Sequence, residues 1–230
     1  GSVSLVLQPL MIAAIHAGSA VDMNITGGAT NGRWAPPLNY VINVLLPLLE
    51  KMNYKGSIRI EKYGYYPKGG AHVKARIEPC SLKPLQLTER GEVESIEGIS
   101  HAAAELEKAK VAERQAKAAE NVIKRDLETA PAIAINYVKT QNPGSAVELF
   151  AKTKNSFLGS DALGEIKKRA EDVGKEAAED MVKAILKNSA VDRHAEDQLL
   201  PYMALAEGKS AISVAEITNH TRTNMWVIEK

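Results

Sequence analysis

The stretch PPLNYVINVLLPLLEKMNYKGSIRIEKYGYYPKGGAHVKARIE, residues 36–78, contains a helix pattern followed by two strand patterns. Two prolines open a helix over about 37–53, and Pro47 predicts a kink within it. Strands are predicted near 57–62 and 71–78, joined by a loop rich in Gly, Tyr and Pro. A helix followed by paired strands is typical of an α/β layer, in which helices cover one face of a sheet.

The segments on either side continue this architecture. The patterns predict a helix over 3–17, a strand over 21–25, a helix over 103–128, strands at PAIAINYVKT and SAVELFAKT, a helix over 160–187 capped by Ser160 or Asp161, a helix over 192–208, and a strand at SAISVAEIT. Residues 160–227 give a helix, a helix, a strand and then a helix or strand, which echoes the helix-on-sheet architecture of residues 3–78. Because the two segments share negligible identity, any repeat is one of structure.

The composition is that of an ordinary globular protein. The chain has 230 residues, of which 45% are apolar and 25% charged, enough to bury a sizeable core. Lys plus Arg (29) nearly balances Asp plus Glu (28), so no global basic field attracts polyanions and any nucleic-acid contact must be local. A single cysteine, Cys80, excludes an internal disulfide and a cysteine-based zinc site.

The apolar segment at the start of the sequence bears on the cellular location of the protein and on whether the sequence is part of a longer one. Residues 3–15 lack a basic leader and the length to span a bilayer, so we expect neither a signal peptide nor a membrane segment, and a cytoplasmic location. A helix this apolar is expected to be buried on nearly all sides. We therefore expect that the sequence is part of a longer or processed protein.

A polar cluster lies in HAEDQ, residues 194–198. On a helix, His194, Asp197 and Gln198 share one face of the first turn. Such a cluster at a helix N-terminus can hold an anionic or hydroxyl-rich ligand through backbone N–H groups. Helix capping with a solvated first turn explains the same residues.

A second cluster surrounds His220 in ITNHTRTNMW, residues 217–226. Imidazole titrates near pH ~6.5 in its unperturbed form, so a neutral fraction at pH 7 can act as base or nucleophile. If a helix begins at 221, Asn224 is placed to orient the ring. The alternative is a strand-end histidine satisfied by backbone groups.

Basic and aromatic residues alternate in KYGYYPKGGAHVKAR, residues 62–76. Basic groups bind phosphates and aromatic rings stack on bases, which is how single strands are held. A solvated hairpin with tyrosines in the core explains the same composition. The chain has no phosphate loop of the G-x-x-x-x-G-K-[ST] type, no H-E-x-x-H and no G-x-S-x-G.

An ordered set of stretches resembles the RNA 3′-terminal phosphate cyclase family. The matching pieces are GSVSLVLQ (1–8), ITGGATNGRWAPPLNY (25–40), YGYYPKGGAHV (63–73), VAERQAKAA (111–119), HAEDQLLPYMALA (194–206) and HTRTNMWVIE (220–229). The resemblance implies an α/β (α+β) fold of repeated helix-on-sheet units related to the enolpyruvyl transferases. It also implies core repeats at 1–91 and 160–230, an inserted small α/β domain at 92–159, and a further repeat before residue 1.

The resemblance also implies a reaction and its residues. In this family a histidine in an H-x-x-T-N context becomes adenylylated, which corresponds to His220. ATP contacts correspond to Gln8 and to His194, Ala195, Glu196, Asp197 and Gln198, with Pro36 and Tyr40 flanking the adenine. The expected substrates are ATP and an RNA with a 3′-phosphate end, with Mg²⁺ or Mn²⁺ as the metal ion and no metal ligands identified in this chain.

Three positions depart from the family pattern. Tyr63 stands where Arg or His is usual, Ala71 replaces the last glycine of the G-x-x-P-x-G-G-G motif, and Asn39 stands where Asp is usual.

Two other functions fit a fold of this type. One is a non-catalytic cyclase-like protein that binds RNA or proteins as a ribosome-assembly factor, and the other is an enolpyruvyl transferase. His220, Gln8 and the Asp197–Gln198 pair favour the cyclase over the assembly factor. The chain has no array of Arg and Lys of the kind that an enolpyruvyl transferase would use for anionic small molecules.

Overall fold

The computed structural model describes residues 1–230 and is a mixed α/β structure. Its first sheet has three antiparallel strands in the order β1-β3-β2: β1 Val21–Thr26, β2 Lys55–Lys62 and β3 His72–Glu78. The inner face of β3 is buried at Val73, Ala75 and Ile77, whereas the residues between them are more exposed. This alternation is the half-buried strand pattern that the sequence predicts.

Helices cover one face of this sheet. They are α1 Val3–Ala14, α2 Leu38–Tyr40 with α3 Leu46–Glu50, and later α6 Ala195–Leu205. Between α2 and α3, Val41–Leu45 forms a π-helical segment. Pro47 lies just beyond it, and a wider turn accommodates a residue that has no N–H to donate. The irregularity predicted at Pro47 therefore lies one turn earlier in the structure.

A second sheet has four strands in the order β6-β5-β7-β8 and its own hydrophobic core. Its elements are β5 Val93–Ala103, β6 Ala132–Val138, β7 Ser145–Thr153 and β8 Phe157–Leu163, with α4 Val111–Leu127 and α5 Ala170–Leu186 packed on it. A short two-residue strand, β4 Gln86–Leu87, precedes this sheet.

In this region the sequence patterns misplace the start of one helix and omit one strand. Residues 160–163 belong to β8, and the helix predicted over 160–187 begins only at Ala170, with Arg169 at its N-cap. Strand β5 was not predicted, because its apolar alternation is broken by Gly98, over which the Leu149 side chain packs. Tertiary pairing overrides the helical pattern here.

The second sheet bears on the predicted division of the chain. Both β8 and α5 pack into the second core beyond residue 159. A unit that contains the whole sheet and both helices would run from Val93 to Leu186. The division into core repeats at 1–91 and 160–230 and an insert at 92–159 remains a prediction.

The last part of the chain is mostly helical. After α6, only β9 Ala211–Ile212 is extended, and it pairs in parallel with β4. The nine-residue strand predicted at SAISVAEIT is therefore reduced to two residues. The chain then enters α7, Asn219–Ile228.

Helix α1 is less buried than its composition predicts. Val3, Leu7 and Met11 pack into the core, but Leu5 and Val6 are each 50% exposed. No element of this chain covers that outer face, so burial on nearly all sides remains an expectation that this chain alone does not meet. None of the helices combines the length and the apolar character that crossing a bilayer requires.

The glycine motif at 69–71 explains one departure from the family pattern. Gly69 and Gly70 have φ values of 69° and 84°, in the region that favours glycine. A Cβ at Gly69 would lie 2.4 Å from the Gly28 carbonyl oxygen. Ala71 is buried but has no such positive φ, so alanine is accommodated there without strain.

Candidate functional site

Three helices that are distant in sequence meet at one place. The Gln8 side chain of α1 donates through Nε2 to Oε1 of Gln198 on α6 (3.1 Å). On the other side of α6, Asn224 of α7 donates through Nδ2 to the Asp197 carbonyl oxygen (3.1 Å). The structure therefore brings together Gln8, Asp197, Gln198 and the first turns of α7.

His220 lies on the first turn of α7. Thr218 caps this helix, since its hydroxyl accepts from the Thr221 N–H. His220 and Asn224 are four residues apart and share a face, so the imidazole projects on the side of α7 that contacts α6. The ring is exposed and forms no hydrogen bond or ion pair within the chain. The predicted helix exists but begins at 219, and the strand-end alternative for His220 is excluded.

Glu196 attaches the start of α7 to α6. Its carboxylate is 1% exposed and accepts hydrogen bonds from the Thr218 N–H (3.1 Å) and the Thr221 hydroxyl (2.6 Å). Ala195 is fully buried in the core. Neither side chain is free to contact a ligand, so within the HAEDQ stretch His194, Asp197 and Gln198 are the residues with accessible side chains.

The pKa values of two of these residues reflect partial burial. Burial raises the pKa of the Asp197 carboxyl above its usual range, and the nearby His220 and His194 act in the opposite direction. Burial lowers the pKa of His194, while Asp192 opposes that shift. The His220 ring is therefore close enough to the Asp197 carboxyl to oppose the rise in its pKa.

Asp192 caps the N-terminus of α6. Its Oδ1 accepts from the backbone N–H groups of His194 (2.8 Å) and Ala195 (3.0 Å), and its Oδ2 accepts from the Gly159 N–H (2.8 Å). These N–H groups are thus satisfied within the chain. For the N–H groups of His194 and Ala195, the alternative of helix capping is therefore correct. These groups are not available to an anionic ligand.

Tyr40 is fixed by the same carboxylate. Its hydroxyl donates to Asp192 Oδ1 (2.7 Å), and its ring meets that of His194 edge-on at 6.1 Å between centroids. Because Tyr40 is only 1% exposed, its ring has no open face for an adenine. The expectation for Tyr40 is wrong in this structure, whereas Pro36 is partly exposed.

A polar cavity of about 90 Å³ adjoins this cluster. Asp161, Asp192, Arg193 and His194 contribute to its wall. Burial, followed by the charge of Glu148, raises the pKa of Asp161 to about 7. Asp161 is therefore a group of the cavity wall that titrates near neutral pH.

Asp161 should make stability depend on pH. The unfolded carboxyl titrates near 4 and the folded one near 7, so the folded state holds more protons in between and stability falls as pH rises through that window. We expect Asp161→Asn to be more stable than the parent at pH 8 by up to about 3 kcal/mol, with the difference vanishing near pH 4. Urea unfolding at several pH values measures this, with exposed Asp172→Asn as the control. An advantage that is equal at pH 4 and pH 8 would contradict the assignment.

A buried polar cluster was not identified from the sequence. Glu148 on β7 is fully buried and accepts from Asn31 (2.7 Å), Asn39 (2.5 Å) and His101 Nε2 (3.1 Å). The Tyr65 hydroxyl bonds His101 Nδ1 (2.5 Å). A carboxylate followed by apolar residues in a strand gives no signal of this clustering, since its partners lie at least 47 residues away.

The same cluster explains two departures from the family pattern. Asn39 lies between Glu148 and the Tyr63 hydroxyl, to which its Nδ2 also donates (3.2 Å). An aspartate at 39 would place a second carboxylate against Glu148, and like charges at this distance repel. Asn39 and Tyr63 form a neutral pair that suits the buried acid.

The described residues contain no group of three or more His, Cys, Asp or Glu side chains arranged to hold a metal ion. Mg²⁺ commonly uses one or two carboxylates together with substrate phosphates. The expected Mg²⁺ or Mn²⁺ remains a prediction.

Comparison with known proteins identifies the family of this chain. A model of the family described as RNA 3′-terminal phosphate cyclase matches residues 1–230. Relatives named RNA 3′-terminal phosphate cyclase are 44% identical in Methanopyrus kandleri, 44% in Thermococcus gammatolerans and 42% in Pyrococcus abyssi, in each case over the whole chain. The chain spans 65–66% of the length of these relatives. It belongs to the RNA 3′-terminal phosphate cyclase family.

Proposed function

We propose that this chain takes part in the ATP-dependent conversion of an RNA 3′-phosphate end to a 2′,3′-cyclic phosphate, with His220 as the residue that carries AMP. The observation that supports this most is the position of His220. Its ring is exposed, has no hydrogen-bond partner in the chain, and lies on the face of α7 that contacts Asp197. Exposure alone does not distinguish His220, but its position beside Asp197, next to the Gln8–Gln198 pair, does.

The first step forms a covalent bond to the protein. A lone pair on an imidazole nitrogen of His220 attacks the α-phosphorus of ATP, and the bond from that phosphorus to the bridging oxygen breaks. Pyrophosphate leaves, and the ring becomes a phosphoramidate. Covalent catalysis of this kind divides a difficult displacement into easier ones.

The second and third steps act on the RNA. An oxygen of the RNA 3′-phosphate attacks the phosphorus of the adenylyl group, and the bond to His220 breaks, which regenerates the free imidazole. The adjacent 2′-hydroxyl then loses its proton and attacks the activated 3′-phosphorus, and AMP leaves. Because this last step is intramolecular, correct orientation can supply about 7–11 kcal/mol of the acceleration.

The surrounding residues suit the binding of a nucleotide. Gln8 and Gln198 form an amide pair at the junction of α1 and α6, and each retains further donor or acceptor capacity. Asp197 is partly exposed and can accept hydrogen bonds from hydroxyl groups. The N-terminus of α7, where His220 lies, carries the positive end of the helix dipole and favours a phosphate nearby. No step above depends on a metal ion held by side chains.

Glu196 is expected to position His220 without touching the substrate. In Glu196→Ala, the Thr218 N–H and the Thr221 hydroxyl lose their acceptor, and the first turn of α7 loosens from α6. Because a displacement of about 1 Å can reduce a rate about 10²-fold, we expect adenylylation to slow about 10–100-fold. The defect should lie mainly in kcat, and Glu196→Gln, which keeps an acceptor oxygen, should recover most of the rate.

Single-turnover kinetics with labelled ATP measure this effect. Glu207→Ala, which removes an exposed glutamate beyond the end of α6, is the matched control and should react at the parent rate. Equal rates for Glu196→Ala and the parent would show that Glu196 does not position the histidine.

The function itself is tested with an RNA that carries a labelled 3′-phosphate. After incubation with protein and ATP, the label should resist phosphatase, because a cyclic phosphate has no terminal monoester. Omission of ATP should leave the label fully removable. A protein that binds this RNA but leaves the label removable in the presence of ATP would favour the non-catalytic alternative.

A further inference from the structure

Four loops form one surface, which we call the loop surface. They are residues 31–36, 63–70, 139–143 and 164–168. Asn31 pairs with Tyr65 through the backbone, and Asn142 donates to the Tyr66 carbonyl oxygen (2.9 Å). Arg33 bonds Glu165 (2.5 Å), which joins the first loop to the last.

Two aromatic side chains project from this surface without a role in the fold. Trp34 is 93% exposed and Tyr66 is 77% exposed. In contrast, Tyr63 and Tyr65 of the same segment pack around the buried His101. Of the three tyrosines in the basic and aromatic segment, only Tyr66 therefore presents an open ring.

The backbone at Trp34 is also unusual. Its φ of 59° lies in the left-handed region, where a bulky residue rarely occurs. This conformation directs a large apolar ring into solvent, where it stabilises nothing in the chain. Strained positions of this kind occur preferentially at ligand-binding sites.

Unpaired cations lie on three of the four loops. Lys68, Lys139 and Lys167 are exposed, one on each of three loops, and none forms an ion pair. Arg33 is neutralised by Glu165, so these three lysines provide the excess charge of the surface. Separated single positive charges and exposed aromatic rings on one surface match a flexible polyanion that carries planar groups.

We propose that the loop surface binds single-stranded RNA, namely the nucleotides that precede the 3′ end. Stacking on Trp34 and Tyr66 requires bases that are not already stacked in a duplex, and the lysines contact phosphates. A double helix presents its phosphates but not its base faces, so it fits only half of this surface. That the bound RNA is the substrate rests on the proposed function. That single-stranded RNA binds at this surface does not.

The loop surface lies within reach of the candidate site. Trp34 and Tyr40 are six residues apart, so their Cα atoms are separated by at most about 22 Å. The Tyr40 ring is 6.1 Å from that of His194. A strand whose 3′ end lies in the site needs only a few further nucleotides to reach Trp34.

The test measures binding without ATP. A fluorescent single-stranded RNA of about 12 nucleotides, within the usual footprint of single-strand sites, is titrated with the parent protein and with Trp34→Ala. We expect Trp34→Ala to weaken binding about 5–150-fold, as loss of one stacked base predicts. Trp34→Tyr, which keeps an aromatic face, should recover most of the affinity.

Two controls separate stacking from charge. Trp226→Ala removes the other tryptophan, which is 61% exposed on α7, and should bind as the parent does. Lys68→Gln should reduce the slope of log affinity against log salt by about 0.7. Because the Trp34 ring packs against nothing, Trp34→Ala should unfold at the parent temperature, which thermal unfolding checks.

The outcomes distinguish this proposal from the proposed function. Parent affinity in Trp34→Ala, or an equal loss for a duplex and a single strand, overturns the loop surface whether or not the protein reacts with ATP. Selective loss of single-strand binding supports the loop surface even if no AMP is transferred to His220, in which case only the proposed reaction fails.

Discussion

His220→Ala is expected to reduce the rate of ATP-dependent cyclisation by at least about 10³-fold, because no other side chain can take over a covalent role. The nearest histidine in the site, His194, is partly buried and its Nε2 already accepts from Arg193 Nε (3.0 Å). The rate of formation of phosphatase-resistant RNA measures the effect.

The matched control is His16→Ala. His16 is also exposed but lies just beyond the C-terminal end of α1, eight residues after Gln8. It should leave the rate unchanged. Since the His220 ring makes no hydrogen bond, His220→Ala should unfold within about 2 °C of the parent, so that loss of activity cannot be attributed to unfolding. A His220→Ala protein that keeps more than about a tenth of the activity would contradict the proposed mechanism.

Glu148→Ala is expected to cause the largest loss of stability. It would remove the acceptor of three buried donors, from Asn31, Asn39 and His101, and leave a cavity at the position of the buried carboxylate. Breaking a buried charged network in this way costs about 3–5 kcal/mol. Denaturant unfolding measures the loss as a fall in the free energy of unfolding.

Two variants calibrate that result. Glu148→Gln keeps one acceptor oxygen and should cost about half as much. Glu165→Gln changes an exposed pair with Arg33 and should alter the free energy of unfolding by less than about 1 kcal/mol. A loss of less than about 1 kcal/mol for Glu148→Ala would show that the cluster contributes little to stability.

The sequence predicts the fold where elements are locally determined. The alternation in 72–78 and the apolar stripe of 38–52 correspond to β3 and to the broken helix on its inner face. Strands β5 and β8 were missed because their pairing depends on partners far along the chain, and Ala-rich or Gly-containing segments carry little strand signal of their own. The mixed α/β class is confirmed, and a relation to the enolpyruvyl transferases remains a prediction.

The candidate site also depends on contacts between residues that are distant in the sequence, and local patterns do not predict such contacts. Gln8 and Gln198 are separated by 190 positions, and neither periodicity nor spacing in one sequence indicates that they touch. The family resemblance predicts their shared role, and the structure independently brings them together. Local pattern also cannot distinguish Glu196, whose carboxylate is buried against α7, from the adjacent Asp197, which stays accessible.

The central claim is that one imidazole accepts AMP. The most direct measurement is the intact mass of the protein after incubation with ATP, followed by peptide mapping at neutral pH to preserve the phosphorus–nitrogen bond. We predict one added adenylyl group, located on the peptide that contains His220 and absent from His220→Ala. An adduct of the same mass that persists in His220→Ala would contradict the account.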